Sequence, residues 1–110
     1  MSDLEAYAAA HRRAHRAVLD AVMAVLDLAE PPGRAVEFAR LGMDSLTAIE
    51  VRDRVCRALE VDLPTTLALD HPSVRRLTAA VAERLTADGL ADALDHELDA
   101  VLGAGIIERS

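Results

Sequence analysis

The sequence is poor in aromatic residues and cysteine, and it contains no lysine or tryptophan. Its 110 residues include one tyrosine, one phenylalanine and one cysteine, and all 12 basic residues are arginine. A single cysteine excludes an intrachain disulfide and is compatible with a reducing cytosol. With 52% hydrophobic residues and so few aromatic ones, the core must be built from Leu, Val, Ile and Ala, a composition that favours helices.

Long apolar runs and a signal-peptide core are also absent. No stretch approaches the roughly 18 consecutive apolar residues of a membrane span, and we expect a cytoplasmic protein. The net charge of −7 argues against nucleic acid and anionic membranes as partners and favours basic protein surfaces. A chain of this length allows one small domain and one appendage.

Apolar residues recur at helical spacing in three long stretches. The first predicted helix runs from Ser2 to Leu28, the second from Ser45 to about Leu59, and the last begins after Pro72-Ser73, with Ser73 as its N-cap. Thr65 to Leu69 is long enough for only a turn or two. The positions expected to face the core are Leu4, Tyr7, His11, Ala14, Val18, Val22, Val25 and Leu26, then Ala48, Val51, Val55 and Leu59, and finally Val74, Leu77, Val81 and Leu85. The pattern predicts an all-α fold, a small antiparallel bundle of three main helices plus one short helix.

The segment between the first two helices reads as a loop. Pro31-Pro32-Gly33 ends the helical pattern, because proline cannot continue the hydrogen-bond ladder, and the loop then runs to Gly42. Within it, Val36, Phe38 and Leu41 alternate with polar residues. We interpret these three as apolar anchors that hold the loop across one end of the bundle.

After Asp88-Gly89 the sequence becomes acidic. Residues 88–110 hold six carboxylates against one arginine, so −5 of the net charge of −7 lies there and −2 in residues 1–87. Leucines and a valine return at helical spacing opposite the aspartates, at Leu90, Leu94, Leu98, Val101 and Leu102. We expect an extra amphipathic C-terminal helix that folds back on the bundle, links to further chain, pairs with itself or docks on a basic partner.

The most informative stretch is Leu41-Gly42-Met43-Asp44-Ser45-Leu46. Asp44 is a good N-cap for the second helix, which makes Ser45 its first, exposed residue. A phosphate ester on Ser45 would meet free backbone N–H groups and the positive end of the helix dipole. The stretch therefore suits a phosphorylated attachment point, although such a cap alone is also common as plain capping.

No catalytic constellation accompanies this serine. The sequence offers no paired catalytic carboxylates, Ser-His-Asp order, Cys-His pair or phosphate-binding glycine loop, and Ser45 has no evident activating base. His11 and His15 have the spacing of a two-histidine metal site, but no further ligands are near and a solvated basic patch is favoured. We interpret Cys56 as a small hydrophobic residue. We therefore expect a substrate of other enzymes, with no metal.

Three segments together carry a family resemblance: Phe38-Ala39-Arg40-Leu41-Gly42-Met43-Asp44-Ser45-Leu46-Thr47-Ala48-Ile49-Glu50-Val51-Arg52-Asp53-Arg54-Val55, then Leu63-Pro64-Thr65-Thr66-Leu67, and Asp70-His71-Pro72-Ser73-Val74. The chain, from about Val18 to Leu85, resembles the acyl carrier protein family, most closely the carrier domains of modular polyketide synthases. The resemblance implies that a phosphopantetheinyl transferase uses coenzyme A to place 4′-phosphopantetheine on Ser45, flanked by Gly42, Asp44 and Leu46. The arm would carry acyl groups as thioesters.

The resemblance also implies partners and a division of the chain. Ketosynthase, acyltransferase and other polyketide synthase enzymes would read the second helix, at Met43, Leu46, Ile49, Glu50, Asp53 and Arg57. Ile49 would lie exposed beside the arm, but periodicity alone supports ordinary, partly buried surface equally well. We expect an N-terminal extension over residues 1–13, a monomeric carrier domain over 14–87 and the acidic helix or linker over 88–110.

Several alternatives stay open on the sequence. A peptidyl carrier of nonribosomal peptide synthesis has the same fold and chemistry, but such carriers usually have another residue in place of Asp44. The second helix contains Arg52, Arg54 and Arg57, whereas fatty-acid carriers are strongly acidic there. An unmodified helical interaction or scaffold module is the alternative from a different class.

Overall fold

The computed structural model describes residues 3–87, and within them the chain is helical. Helix α1 spans Asp3–Leu26, a short 3₁₀ helix spans Phe38–Leu41, α2 spans Ser45–Leu59 and α3 spans Leu67–Asp70. The last helix, α4, covers residues 74–87 of the described part. The all-α prediction is confirmed, while the predicted C-terminal helix over 88–110 lies outside the described residues.

Helices α1 and α2 end in the same way, on a residue in the left-handed region. Asp27 has φ 54° and Glu60 has φ 55°, and each is followed by an amide that reaches back five residues, Leu28 N–H to Met23 O (3.0 Å) and Val61 N–H to Cys56 O (3.2 Å). This is the Schellman arrangement, which satisfies carbonyls that the helix end leaves free. It ends α1 two residues before the predicted Leu28 and well before the prolines.

The core is aliphatic, as the composition predicts. All four predicted core positions of α2 are buried, and so are Val74, Leu77 and Val81 of α4. The other buried apolar residues are Ala10, Ala14, Ala17, Val18, Ala21, Val22, Phe38, Leu63, Leu67, Ala68 and Ala82. The chain's one phenylalanine is therefore an anchor of the core.

The predicted stripe of α1 is wrong at its N-terminal end. Leu4 is 78% exposed and Tyr7 is 39% exposed, whereas burial begins at Ala10. Apolar residues do recur at helical spacing in these first turns. Among the described residues, however, no other element packs against them, so their side chains stay exposed. Tyr7 instead lies near the ring of His11, at a centroid distance of 6.1 Å.

The loop before α2 is fastened to the start of α4. Phe38 N–H donates to Pro72 O at 2.7 Å and Arg75 N–H donates to Arg34 O at 2.9 Å. Of the predicted anchors, Phe38 is buried, while Val36 and Leu41 are half-buried. The loop is thereby held in one position just before the serine of interest.

Candidate functional site at the start of the second helix

The chain approaches Ser45 through a tight reversal at Gly42. Gly42 has φ 91°, a left-handed conformation that glycine adopts at no steric cost. Its N–H donates to Ala39 O at 3.2 Å, and the next amide, of Met43, donates to Phe38 O at 3.1 Å. Because Phe38 is buried, these bonds tie the position of Ser45 to the core.

A capping box begins α2. The Asp44 carboxylate accepts from Thr47 N–H at 2.9 Å, and Thr47 Oγ1 accepts from Asp44 N–H at 2.8 Å. Asp44 is thus the N-cap and Ser45 the first helical residue, as predicted. Thr47 completes the cap and was not predicted, although a threonine three residues after an N-cap aspartate resembles the capping-box pattern.

The capping box also changes what the helix start can offer to a phosphate. The N–H groups of Asp44 and Thr47 are already engaged, which leaves fewer donors for an ester on Ser45 than the sequence analysis expected. The Thr47 N–H and hydroxyl lower the pKa of Asp44 below 3.8, so this carboxylate is charged at neutral pH. Its contribution to stability is present above pH 3.8 and is lost as the pH falls through the lowered pKa.

Ser45 and Leu46 both lie on the surface. Ser45 is exposed, and Leu46 leaves 67% of its surface in solvent. Within residues 3–87 no hydrogen bond joins the Ser45 hydroxyl to another side chain. The hydroxyl is therefore accessible from solvent, and among these residues no activating base is bonded to it.

The remaining predicted partner residues differ in accessibility. Glu50 and Arg57 are exposed, whereas Met43, Ile49 and Asp53 are half-buried, and Met43 packs against the core. Ile49 is therefore less accessible than an exposed side chain beside the arm would be. Leu46, Ile49, Glu50, Asp53 and Arg57 nevertheless follow one another at helical spacing along α2.

Arg52 acts inside the fold. Its Nε donates to Leu63 O at 2.8 Å, and its guanidinium pairs with Asp53 at 2.7 Å and with Asp62 at 3.5 Å. The side chain thereby fastens the loop after α2 to the helix. In the sequence, Arg52 is one of several charged residues of α2, and no local pattern distinguishes it from Arg54 or Arg57.

The histidine pair of α1 does not form a metal site in the described structure. No group of three or more His, Cys, Asp or Glu residues between positions 3 and 87 is arranged to hold a metal ion. His15 is half-buried, and burial lowers its pKa below 6.5, with further repulsion from Arg34 and His11.

Cys56 is a free, half-buried thiol. No helix of the described part is long and apolar enough to cross a bilayer.

The chain matches one protein family over most of the bundle. Residues 16–81 match the family described as "Phosphopantetheine attachment site", a range that contains the whole turn from Gly42 to Leu46. The described helices α2 and α3 lie entirely within this range.

Known relatives are much longer than this chain. The Spectinabilin polyketide synthase system protein NorA′ of Streptomyces orinoci is 45% identical over 60 residues, 54% of this chain and 2% of that protein. A phenolphthiocerol/phthiocerol polyketide synthase protein of Mycobacterium tuberculosis is 34% identical over 86 residues, 76% of this chain and 4% of that protein. The chain thus spans a few per cent of the relatives it matches.

A solved structure shares the fold. BlmI, a type-II acyl carrier protein from Streptomyces verticillus involved in bleomycin biosynthesis, superposes with a TM-score of 0.62 at 25% identity. The match covers 68% of this chain and 89% of that one.

Proposed function

Because the chain belongs to the phosphopantetheine-attachment-site family, we propose that Ser45 is the residue to which its 4′-phosphopantetheine is attached. The observation that carries this proposal is the exposed hydroxyl at the first position of α2, held there by the Gly42 turn and the Asp44 cap. Ser73 begins another helix, but it is buried and its Oγ accepts from Arg76 N–H. Accessibility therefore favours Ser45.

The surroundings of Ser45 fit an attached group. Its hydroxyl points to no described partner, and the neighbouring Leu46 offers exposed apolar surface. Attachment joins Ser45 Oγ to the phosphate of the arm and releases adenosine 3′,5′-bisphosphate from coenzyme A, while the serine proton passes to a base of the transferase. When bound, the group supplies a thiol that holds an acyl chain as a thioester. This chain positions the group and performs no bond-making step itself.

Polyketide biosynthesis is the proposed setting. The relatives named above are polyketide synthase proteins, and α2 exposes both Glu50 and Arg57, a mixed surface that suits selective pairing. Its partners would be a phosphopantetheinyl transferase, a ketosynthase and an acyltransferase, which contact Leu46, Ile49, Glu50, Asp53 and Arg57. The half-buried Met43 would contribute at the edge of this surface.

The domain division remains part of the proposal. We place the carrier domain at 14–87, with an extension before it and the acidic segment after it, and we propose that it acts as a monomer. The exposure of Leu4 and Tyr7 supports an extension, although burial already begins at Ala10, within residues 1–13. The free Cys56 is compatible with the reducing cytoplasm, which we propose as its location.

Intact mass after incubation with coenzyme A and a broad-specificity phosphopantetheinyl transferase tests the proposal. We expect the wild-type chain to gain one phosphopantetheinyl group, Ser45→Ala to gain none, and the matched control Ser73→Ala to gain one. Helicity by circular dichroism shows that each variant is folded. An unmodified wild-type chain would reject Ser45 as the site and favour the scaffold alternative. Modification of Ser45→Ala would show that the group is attached to another residue.

A further inference from the structure

An open groove of about 570 Å³ follows α4 along its length. Its floor is apolar: Leu63 and Leu67 contribute buried side chains, and Ala79, Ala80 and Ala87 of α4 complete the lining. Small residues let another helix approach α4 closely. None of the lining residues belongs to α2 or to the Gly42–Leu46 turn, so the groove is separate from the proposed attachment site.

Basic residues predominate among the charged residues that line the groove. Arg76 and Arg84 lie about two turns apart on α4, with Glu83 between them. His71, after α3, also lines the groove. An occupant with an apolar face and flanking carboxylates would complement this lining.

The chain itself contains such a segment directly after the groove. Residues 88–110 carry −5 of the net charge of −7, and Leu90, Leu94 and Leu98 recur at four-residue steps. The segment starts one residue after Ala87, which lines the groove. Gly89 is the residue type that most readily ends a helix and reverses the chain.

We propose that residues 90–102 form a helix that turns back at Gly89 and packs antiparallel to α4 in this groove. The lengths agree: about 18 Å for residues 90–102 and about 17 Å for the stretch of α4 from 76 to 87. The leucines would cover the alanines, and the carboxylates would lie beside Arg76 and Arg84. The proposal stands on the groove and the segment and does not depend on modification of Ser45.

A nitroxide on the segment of the full chain tests this packing. The label is attached at Ala100→Cys, which lies off the leucine stripe. Cys56 is replaced in the same chain, by serine in one variant and by alanine in another, so that only one cysteine is labelled. The amide NMR spectrum recorded with the label reduced shows that each variant is folded. We expect selective loss of amide signal at Ala79 and Ala80. Ala17, Asp20 and Ala58, which line a groove between α1 and α2, should keep their intensity.

Two variants and one mixture decide the outcome. Leu94→Asp should abolish the signal loss, whereas Asp92→Asn, on the polar face, should preserve it. When ¹⁵N-enriched chain without a nitroxide is mixed with spin-labelled chain that is not ¹⁵N-enriched, the amide signals should lose no intensity. Loss in that mixture would mean that a second copy fills the groove, and the absence of selective loss within one chain would mean that the segment does not dock there. Either result overturns the proposal.

Discussion

Gly42 occupies a backbone conformation that few other residues tolerate. Its φ of 91° places it in the left-handed region, yet a Cβ added there would meet nothing within 4 Å. The requirement for glycine therefore comes from the local backbone conformation and not from a neighbouring element. The turn it makes sets where Ser45 emerges, three residues later.

We expect Gly42→Ala to lower the free energy of unfolding by about 1 kcal/mol, because alanine is strained at positive φ. Gly42→Asn should cost less, since asparagine visits this region more readily. Urea denaturation of both variants measures the difference. Equal stabilities for wild type, Ala and Asn would show that the turn relaxes without cost.

Thr78 is a polar side chain in an apolar setting. It is fully buried in α4, and Oγ1 has no hydrogen-bond partner among the described residues. We expect Thr78→Val to raise the free energy of unfolding by about 1 kcal/mol, since a nearly isosteric apolar group removes a desolvated hydroxyl.

The matched control for Thr78 is Thr86→Val on the same helix. The Thr86 hydroxyl donates to Ala82 O at 2.9 Å, so its removal should give no gain. Both variants are compared by their urea midpoints. A lower midpoint for Thr78→Val would indicate that the hydroxyl does have a partner.

At the scale of the element, the two sides of α2 differ in burial. Val51 is fully buried, while Ile49 is half-buried on the side that begins with Leu46 and Ser45. The prediction from periodicity that Ala48, Val51, Val55 and Leu59 face the core is confirmed. The accessibility of Ile49 depends on how closely neighbouring elements pack, which periodicity does not specify.

We expect Val51→Ala to lower the free energy of unfolding by about 1–3 kcal/mol through lost burial. Ile49→Ala should lower it less and should instead slow loading by the transferase or turnover with partner enzymes. Denaturation curves and initial loading rates, measured on both variants, separate the two effects. Full loading rates with Ile49→Ala would remove Ile49 from the proposed partner surface.

The ends of α1 and α2 compare differently with their predicted bounds: α1 stops two residues before Leu28, whereas α2 stops at Leu59 as predicted. Both helices stop at acidic residues, Asp27 and Glu60, in the left-handed conformation. The apolar residues that follow, Leu28 and Val61, pack against the core, so tertiary contact supports each reversal. Neither helix has a glycine or a proline at the position where it ends, so these residue types do not mark the two ends in the sequence.

For the whole molecule, acid should weaken the bundle before its carboxylates titrate. His15 lies half-buried on α1, and burial together with Arg34 and His11 lowers its pKa. The folded state therefore resists a proton that the unfolded chain binds near pH 6.5, and stability falls as the pH drops through that value.

We expect the melting temperature to fall as the pH drops through 6.5 toward the lowered pKa of His15. His15→Gln should reduce this dependence, because it removes the group whose pKa differs between the two states. Arg54→Gln on α2 serves as the control, because it removes an exposed charge that does not titrate in this range, and it should retain the dependence of the wild type. The same slope in His15→Gln would show that other groups cause the loss.

Local patterns in the sequence by themselves determined much of the structure of this protein. They determined the helical class, the start of α2 at Ser45, the caps at Asp44 and Ser73, and the buried side of α2. Each of these depends on residues within a few positions of one another, through periodicity, turn conformation and capping hydrogen bonds. The serine could be singled out for the same reason.

Only the tertiary structure decided which surfaces are covered. It left Leu4 and Tyr7 in solvent despite their helical spacing, and it brought Arg52 to Leu63 O and to the exposed Asp62. It also fastened the loop at Phe38 to Pro72 O. These outcomes depend on contacts between residues far apart in the chain, and a local pattern contains no information about which distant surface it will meet.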